Sequence, residues 1–429
     1  MKTGRKQIVV LGAGFGGLEF CKQLGHPDAD ITLIDRQNHH LFQPLLYQVA
    51  TAGLSATDIA QPIRSILAHL PQVTVLLDEV TGFRLAEKQV ILGDHTRSYD
   101  YLVIALGGCT SYFGHPEWER FAPGLKSLQD ALQIRNRILL AFEQAESDVT
   151  PERHSRLLTI VVIGGGPTGV ELAGACAELC RHVLQTDFRH IHTRETHIIL
   201  LEAAPRILAH LPPELSASAR RQLEALGVQV RTDTKVKAIT ADCVELETGE
   251  IIRARTILWG AGVAANPLTR QLGVPLDRAG RIQVNPDRTL PGHPEVFAIG
   301  DLAAVLTPEG TPVPGVSPAA IQMARHVAGI IGDELAGHHL HAPRQPFHYH
   351  DKGTMATIGR SAAVAKIGRL EFSGFPAWLA WLGVHLLFLV GFRNKVTVLF
   401  QWFYSYLTYK RGARIITQLP PPPGPPPAG

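Results

Sequence analysis

The chain has 429 residues, of which 45% are hydrophobic and 18% are charged, and its formal net charge is +3. This length accommodates two or three domains with cores of ordinary size. So small a positive charge gives no reason to expect a nucleic-acid partner. No C-x-x-C pair occurs among the cysteines, so neither a metal site nor a dithiol relay is expected from Cys21, Cys109, Cys176, Cys180 and Cys243.

The chain opens with the pattern of a strand, a glycine-rich turn and a helix. An apolar run at residues 8–11 leads into the G-x-G-x-x-G spacing of Gly12, Gly14 and Gly17. Such a turn lets the backbone approach a pyrophosphate closely at the positive end of a helix. A second apolar run ends at Asp35, whose carboxylate has the spacing expected for binding an adenosine ribose. The segment therefore predicts a dinucleotide site.

The same pattern returns near the middle of the chain. An apolar run at residues 160–163 enters a second glycine turn, and the next strand ends at Glu202 after an Arg- and His-rich insertion at 181–194. A carboxylate at that strand end accepts the ribose 2′-hydroxyl and repels a 2′-phosphate, which favours NADH over NADPH. The nearby Arg206 weakens this preference. The glycines of the second turn are Gly164, Gly166 and Gly169.

A third segment completes the pattern, because the strand at residues 296–299 runs into Gly300 and Asp301. A carboxylate there suits the ribityl hydroxyls of a flavin. Two dinucleotide sites in one chain favour a flavin and a nicotinamide, which carry the redox chemistry without a protein nucleophile. Since the flavin segment returns only near residue 300, the second unit must be inserted into the first.

The predicted fold is α/β, with two Rossmann-like dinucleotide-binding domains, the NADH domain inserted in the FAD domain, and a C-terminal amphipathic region whose apolar segments, described next, predict membrane anchoring. The predicted bounds are 1–156 and 291–345 for the FAD domain, 157–290 for the NADH domain, 346–414 for the C-terminal region and 415–429 for a disordered Pro-rich tail.

The C-terminal region contains two apolar segments. Residues 372–392 carry no Lys, Arg, Asp or Glu and are just long enough to span a bilayer, although Gly374 and Pro376 interrupt their start. A helix that is buried against the other domains or dips into one leaflet is the alternative.

The following segment has the pattern of an amphipathic helix. Its apolar face consists of Val396, Leu399, Phe400, Phe403 and Leu407. Basic residues follow at Lys410, Arg411 and Arg414, and the side chains that favour the headgroup region are Trp402, Tyr404, Tyr406 and Tyr409. The pattern predicts a helix lying in the interface of an anionic bilayer. The alternatives are a core helix or one that pairs two copies in a homodimer.

The N-terminal apolar run belongs to a strand rather than to a signal peptide, so the protein body is expected on the cytoplasmic face of the inner or plasma membrane.

Together, residues 38–50, 164–171, 296–302 and 352–360 resemble the type II NADH:quinone oxidoreductases, which are single-subunit NADH dehydrogenases of the two-dinucleotide flavoprotein superfamily. The resemblance covers the chain up to about residue 414. It implies non-covalently held FAD, NADH as the donor, a membrane quinone as the acceptor, and turnover without proton pumping.

The resemblance also implies roles for individual residues. Gly12, Gly14, Gly17, Asp35, Gly300 and Asp301 match FAD-binding positions, and Gly164, Gly166, Gly169 and Glu202 match NADH-binding positions. Glu171 matches an acidic residue between nicotinamide and quinone, with a solvated acid in the first part of a helix as the alternative. Lys352 resembles a basic residue near the flavin, and a surface lysine is its alternative.

One position departs from the family pattern. Where the family reads Ala-Gln-x-x-x-Gln in its quinone segment, this chain has Pro318 and Gln322 at the two glutamine positions. Proline has no side-chain donor or acceptor, so a hydrogen bond to a quinone from that position is lost. Gln322 keeps the second position, with a solvated helix residue as the alternative.

Two other functions stay open at this point. One is a soluble NAD(P)H-dependent flavin reductase with a protein or small-molecule acceptor. The other is a redox-sensing protein that binds both nucleotides without useful turnover, which would fit the loss of the glutamine at Pro318.

Overall fold

A computed structural model of the chain describes residues 4–148, 150–338, 343–408 and 412–417. The chain divides into two compact units, each built from three stretches. The first unit comprises 1–41, 60–111 and 263–352, and the second comprises 42–59, 112–262 and 353–429. The predicted α/β class is confirmed, whereas the domain bounds predicted from the sequence remain a proposal.

The α-helices, in chain order, are α1 Phe15–Gln23, α2 Leu46–Ala50, α3 Ala56–Ile59, α4 Ile63–Leu67, α5 Leu128–Ser147, α6 Pro151–Leu157, α7 Pro167–Glu178, α8 Pro213–Ala225, α9 Ser317–Leu335, α10 Phe375–Phe388 and α11 Phe392–Thr408.

The strands, in the same order, are β1 Lys6–Leu11, β2 Ala29–Asp35, β3 His39–Leu41, β4 Ala60–Pro62, β5 Val73–Leu77, β6 Gly82–Arg84, β7 Gln89–Leu92, β8 His95–Ser98, β9 Tyr101–Ile104, β10 Gly108–Thr110, β11 Thr159–Ile163, β12 His197–Leu201, β13 Val228–Arg231, β14 Val236–Ile239, β15 Cys243–Leu246, β16 Ile251–Arg253, β17 Thr256–Trp259, β18 Val263–Ala265, β19 Ile282–Gln283, β20 Thr289–Leu290, β21 His293–Ala298, β22 Ala303–Ala304, β23 Thr354–Gly359, β24 Ala362–Ile367 and β25 Leu370–Ser373.

The first unit is organised around a sheet with the order β20-β21-β9-β1-β2-β5. All neighbours pair in parallel except β20 with β21. The central strands are rich in Val, Ile and Leu and buried, as expected for a parallel sheet covered on both faces. Strand β21 pairs with β9 although the sheet of the second unit lies between them in sequence, so the chain leaves this sheet and returns to it.

The second unit contains a parallel sheet with the order β13-β12-β11-β17. Its middle strand β11 is buried along its whole length. Two antiparallel sheets accompany it, β14-β15-β16 and β23-β24-β25. The strand order around β11 matches that around β1 in the first unit, since each glycine turn follows a strand held between two parallel neighbours.

Within the second unit, α7 lies against β23 at very short range. A Cβ atom added at Gly174 would lie 1.7 Å from the carbonyl oxygen of Ile358, so only glycine fits this position. The close approach brings the first half of α7 to the edge of β23. This placement creates the environment of Glu171.

The C-terminal helices belong to the second unit. The buried Ala377 and Trp381 attach α10 to the rest of the unit, and Ala377 packs with Ala363 and Ala365 of β24. The predicted amphipathic helix is confirmed as α11, and its predicted apolar face is exposed: Val396, Leu399, Phe400, Phe403 and Leu407.

Several expectations for this region need correction. The apolar run at 372–392 is divided between the end of β25, α10 and the start of α11. In the described part of the chain, no helix is long and apolar enough to cross a membrane. Trp402 and Tyr406, predicted to lie among lipid headgroups, instead line a cleft in the second unit, because they lie on the inner side of α11. Tyr409, Lys410 and Arg411 lie outside the described residues.

The start of the predicted tail contacts α5, and the predicted bounds of the tail stay a prediction. The backbone N–H of Thr417 donates to the side-chain oxygen of Asn136 at 3.2 Å, so residues 415–417 are held by α5. Residues 418–429 lie outside the described part of the chain.

Candidate functional site

The first glycine turn connects β1 to α1. At two of its glycines the backbone lies so close to neighbouring backbone atoms that a side chain would not fit. Gly12 has a φ of +96°, and a Cβ atom there would lie 2.5 Å from the carbonyl oxygen of Ala105. A Cβ atom at Gly17 would lie 1.8 Å from the oxygen of Gly12. Gly14, the N-cap of α1, instead faces open space. The helix N-terminus is therefore accessible to a pyrophosphate.

Asp35 lies beside this turn at the end of β2. Its Oδ2 accepts a hydrogen bond from the backbone N–H of Ala13 at 2.6 Å, and its Oδ1 accepts one from Gln37 at 2.7 Å. Both bonds fix the carboxylate at the carboxyl end of the sheet. This is the location at which a ribose hydroxyl binds in a fold of this kind.

The third predicted segment lies at the same edge of the sheet. Gly300 begins a short 3₁₀ turn directly after β21, with a φ of +78°, and its N–H points to the sulfur of Met323 at 3.3 Å. Asp301 borders a small pocket together with Gly315 and residues at the start of α9. The glycine turn, Asp35 and Asp301 thus follow three parallel strands of one sheet, an arrangement that fits FAD.

His40 is a residue near this turn to which the sequence assigned no role. Its ring is buried, its Nδ1 lies 2.9 Å from the carbonyl oxygen of Ala13, and Phe15 packs edge-on at 5.2 Å. Burial lowers the pKa of His40 to about 4. The neutral ring therefore donates from Nδ1 to Ala13 and supports the turn. In the sequence, the only indication of a role for His40 is its position within the family-like segment 38–50.

The second glycine turn repeats the construction in the second unit. Gly164 has a φ of +106°, and a Cβ atom there would lie 2.6 Å from the backbone nitrogen of Ala261. A Cβ atom at Gly169 would lie 1.8 Å from the oxygen of Gly164. Gly166, the N-cap of α7, faces open space as Gly14 does.

Glu202 stands beside the second turn as Asp35 stands beside the first. Its Oε2 accepts a hydrogen bond from Gly165 at 2.5 Å and its Oε1 accepts one from Ala204 at 2.7 Å. The guanidinium of Arg206 is directed at the carbonyl oxygens of Ala209 and Leu211, at 3.3 and 3.5 Å. Arg206, four residues after Glu202 in the sequence, therefore contacts backbone carbonyl oxygens.

Glu171 lies on α7 in the second unit, and its side chain contacts β23. Among the described residues, its carboxyl group accepts one long protein hydrogen bond, from the N–H of Thr357 to Oε1 at 3.4 Å. Loss of solvation raises the pKa of Glu171 to about 8, outweighing that bond. A pKa near 8 keeps the carboxyl group mainly protonated at neutral pH, which argues against the alternative of a solvated helix acid, and the role of Glu171 stays a prediction.

Glu171 lines a cleft whose walls come from α2, α7, the end of β23, α10 and α11. We call it the aromatic cleft, and its lining includes Tyr47, Gln48, Glu171, Glu178, Thr357, Arg360, Trp378, Trp381, Trp402 and Tyr406. All of these residues belong to the second unit.

The walls of the aromatic cleft are flat and largely apolar. The ring of Trp381 lies 5.6 Å from that of Trp402 and 4.1 Å from that of His385, and Trp378 stacks on Tyr406 at 5.4 Å. The Arg360 guanidinium lies 4.0 Å from the Tyr406 ring centroid, a cation–π contact at the wall. A planar, uncharged molecule matches these surfaces.

The remaining predicted site residues, Gln322 and Lys352, lie in the first unit, so neither shares a unit with Glu171. The side-chain amide of Gln322 makes two hydrogen bonds of 2.9 Å with the backbone N–H and carbonyl of His350. It is therefore tied to the chain rather than simply solvated. Lys352 is exposed. Pro318 occupies the first turn of α9, where a missing N–H removes no helical bond.

Comparisons with known proteins agree with this geometry. A model of the pyridine nucleotide-disulphide oxidoreductase family matches residues 6–325, and one of the NDH2 C-terminal domain matches residues 351–410. The chain is 48% identical to the type II NADH:quinone oxidoreductase Ndh of Mycobacterium tuberculosis, over 96% of this chain and 90% of that protein. It is 30% identical to the demethylphylloquinone reductase NdbB of Synechocystis, over 94% and 96%.

A solved structure of NDH2 from Plasmodium falciparum in complex with NADH has the same fold, with a TM-score of 0.86 and 19% identity over 96% of this chain and 100% of that one. The sulfide:quinone oxidoreductase of Aquifex aeolicus follows with a TM-score of 0.68 and 21% identity, over 91% and 92%. The resemblance predicted from the sequence is thus confirmed: this chain belongs to the type II NADH:quinone oxidoreductases, within the pyridine nucleotide-disulphide oxidoreductase family.

Proposed function

We propose that this chain oxidises NADH by means of FAD and reduces a quinone that reaches the aromatic cleft from a membrane. The observation that carries the proposal is the cleft itself. It combines flat aromatic walls with a protonated carboxylic acid, Glu171, and one of its walls is a helix with an exposed apolar face.

The nucleotides are assigned to the two glycine turns. In the first unit, Gly12, Gly14, Gly17, Asp35, Gly300 and Asp301 would hold FAD, and in the second unit Gly164, Gly166, Gly169 and Glu202 would hold NADH. When bound, FAD supplies the ring that takes a hydride from NADH and passes electrons to the acceptor.

NADH is the proposed donor rather than NADPH. Glu202 lies at the strand end where its charge repels a 2′-phosphate. Arg206 offers little compensation, because its guanidinium is directed at the carbonyl oxygens of Ala209 and Leu211. Both features support the preference that the sequence suggested through Glu202 alone.

Glu171 is the residue assigned to proton transfer. Reducing a quinone to a quinol takes two electrons and two protons. A carboxylic acid with a pKa near 8 carries a proton at neutral pH and can give it from its Oε atom to the carbonyl oxygen of a bound acceptor. The second proton can come from the hydrogen that NADH gives up as hydride, so each turnover takes up one proton from solvent, which would restore the acid form of Glu171. The assignments of Gln322 and Lys352 to catalysis stay predictions.

The membrane is the proposed partner of α11. Its outer face exposes Leu399 to 51% and Phe403 to 62%, while its inner residues Trp402 and Tyr406 line the cleft. Exposed apolar surface of this extent marks an interaction site, and a lipid surface is the source from which an apolar quinone would arrive. A homodimer through the same face is the alternative. Placement on the cytoplasmic face and turnover without proton pumping also stay predictions.

The first test is anaerobic stopped-flow on the full-length protein, with the visible absorbance of the flavin as the signal. We expect rapid bleaching with NADH, slow or no bleaching with NADPH, and recovery when menadione is added. Bleaching without recovery would contradict the quinone as acceptor and favour a reductase with another acceptor. Co-sedimentation with anionic phospholipid vesicles tests the membrane as partner of α11. A stable dimer that does not bind the vesicles would contradict this assignment.

A further inference from the structure

A chain of hydrogen bonds in the aromatic cleft fixes the side-chain amide of Gln48. The indole Nε1 of Trp402 donates to Oε1 of Gln48 at 2.8 Å, and Nε2 of Gln48 donates to the hydroxyl oxygen of Tyr47 at 2.9 Å. Because an indole N–H can only donate, the amide oxygen must face Trp402. The amide nitrogen consequently faces Tyr47, and the orientation of Gln48 is set by α11.

This orientation leaves a donor in the cleft. The amide nitrogen carries two hydrogens, and the second one has no acceptor among the residues that the structure describes. The same is true of the indole Nε1 of Trp381, a side chain that is only 2% exposed, within the described part of the cleft. Both atoms, Nε2 of Gln48 and Nε1 of Trp381, are donors, and a ligand with carbonyl oxygens would satisfy them.

The two positions of the family's quinone segment, Pro318 and Gln322 in this chain, do not offer a free side-chain N–H as Gln48 does. Pro318 has no side-chain hydrogen-bonding group. The amide of Gln322 is engaged on both its nitrogen and its oxygen by the backbone of His350. Gln48, by contrast, lies in the same unit and lines the same cleft as Glu171.

We propose that Gln48 donates a hydrogen bond from Nε2 to a carbonyl oxygen of the quinone in the aromatic cleft, and that Trp402 is the positioning residue that keeps this N–H directed into the cleft. The inference rests on the proposed quinone reductase function. It places the positioning residue on α11, the helix assigned to the membrane, so that helix also shapes the acceptor site.

The experiment compares steady-state kinetics of the full-length protein and its variants, with saturating NADH and either menadione or ferricyanide as acceptor. Ferricyanide takes single electrons without hydrogen bonding in the cleft. The variants are Gln48→Leu, Gln48→Glu, Trp402→Phe and the double variant Gln48→Leu with Trp402→Phe. Gln43→Leu is the matched control, because Gln43 is an exposed glutamine of the same segment. Flavin content and bleaching by NADH verify folding of each variant.

We expect Gln48→Leu and Gln48→Glu to raise the KM for menadione about tenfold, with little change in kcat or in ferricyanide turnover. Trp402→Phe keeps the ring but removes the donor, and it should raise the same KM about threefold in the native background and not at all beside Gln48→Leu. Gln43→Leu should leave this KM unchanged.

An unchanged KM in both Gln48 variants, with normal menadione turnover in the native protein, would overturn the inference and leave the proposed function intact. An equal effect of Trp402→Phe in both backgrounds would overturn the positioning role. A native protein that reduces ferricyanide but not menadione would overturn the proposed function, and the inference with it.

Discussion

The two glycine turns and the aromatic cleft bind molecules by different means. Each turn consists of backbone atoms from a stretch of six residues, with one carboxylate held beside it by backbone N–H groups. The cleft is made of side chains from helices and strands that lie far apart in sequence, and Trp402 and Gln48 are 354 positions apart. Substitutions in the turns should therefore act through sterics, and those in the cleft through hydrogen bonds and proton transfer.

The largest expected effect is on a turn. Gly169→Ala places a methyl group 1.8 Å from the oxygen of Gly164, so α7 must move away from β11. We expect the free energy of unfolding to fall by about 3 kcal/mol and NADH binding to be lost. Chemical denaturation and NADH titration measure both.

Gly166→Ala is the control for that variant, because its new methyl group meets no protein atom within 4 Å. Stability should be retained while the KM for NADH rises, since the methyl group enters the space proposed for the pyrophosphate. If the two alanine variants lose stability equally, the steric account of the turn is wrong.

The next effect concerns the cleft. Glu171→Gln keeps the shape of the side chain but removes its titration, so we expect quinone turnover to fall about a hundredfold while bleaching by NADH is unaffected. Because the pKa of Glu171 is raised to about 8, the group is protonated below that pH and loses its proton as the pH rises through it. Native quinone turnover should therefore decline above pH 8.

The pH profile of the variant provides the check on this assignment. Glu171→Gln has no proton to lose, so its residual turnover should not decline in the same range. An alkaline decline of equal size in the variant would assign the titration to another group.

A smaller effect is expected at the carboxylate of the second turn. Glu202→Ala removes the group that would accept the ribose hydroxyl and repel a 2′-phosphate. We expect the KM for NADH to rise about tenfold and the preference over NADPH to shrink. Steady-state rates with both nucleotides measure the change, and a preference that is unaltered would show that Glu202 does not discriminate between them.

The smallest effect is on stability near the first turn. The pKa of His40 is lowered to about 4, so the neutral ring stabilises the fold above the ordinary histidine pKa, and this stabilisation is lost as the pH falls towards 4. Between pH 7 and 5.5 the loss should be about 1 kcal/mol. His40→Asn retains a donor for Ala13 without titrating, so its denaturation midpoint should depend less on pH. Parallel pH profiles would exclude His40 as the cause.

The turns were predictable from the sequence because their physics is local. Glycine spacing, apolar runs and carboxylates at strand ends are readable over about 30 residues, which is the size of a βαβ unit. The Gly12 and Gly164 turns, the carboxylates Asp35 and Glu202, and the α11 helix followed from such patterns. The return of the chain to the first sheet through β21 followed from the Gly300 motif.

The cleft was not predictable, because its properties depend on tertiary contacts. The burial of Glu171 depends on the approach of Gly174 to Ile358, and nothing near Glu171 in sequence records that contact. Trp402 and Tyr406 were assigned to lipid headgroups because their residue types suit that location, whereas their positions on the inner side of α11 place them in the cleft. For Gln48, nothing in the neighbouring sequence indicated a role in the cleft, apart from its position within residues 38–50.

The assignment of residues 42–59 to the second unit affects how the protein is made. This stretch is translated early, between two stretches of the first unit, yet α2 packs against α5 and α7, whose residues all come after position 111. During synthesis, α2 must therefore remain without its partners while the rest of the first 111 residues emerges. Non-local closure of this kind slows folding and prolongs the exposure of apolar surface. Nascent chains that stop before residue 353 should consequently be strong clients for chaperones, and complete chains should mature only after release from the ribosome.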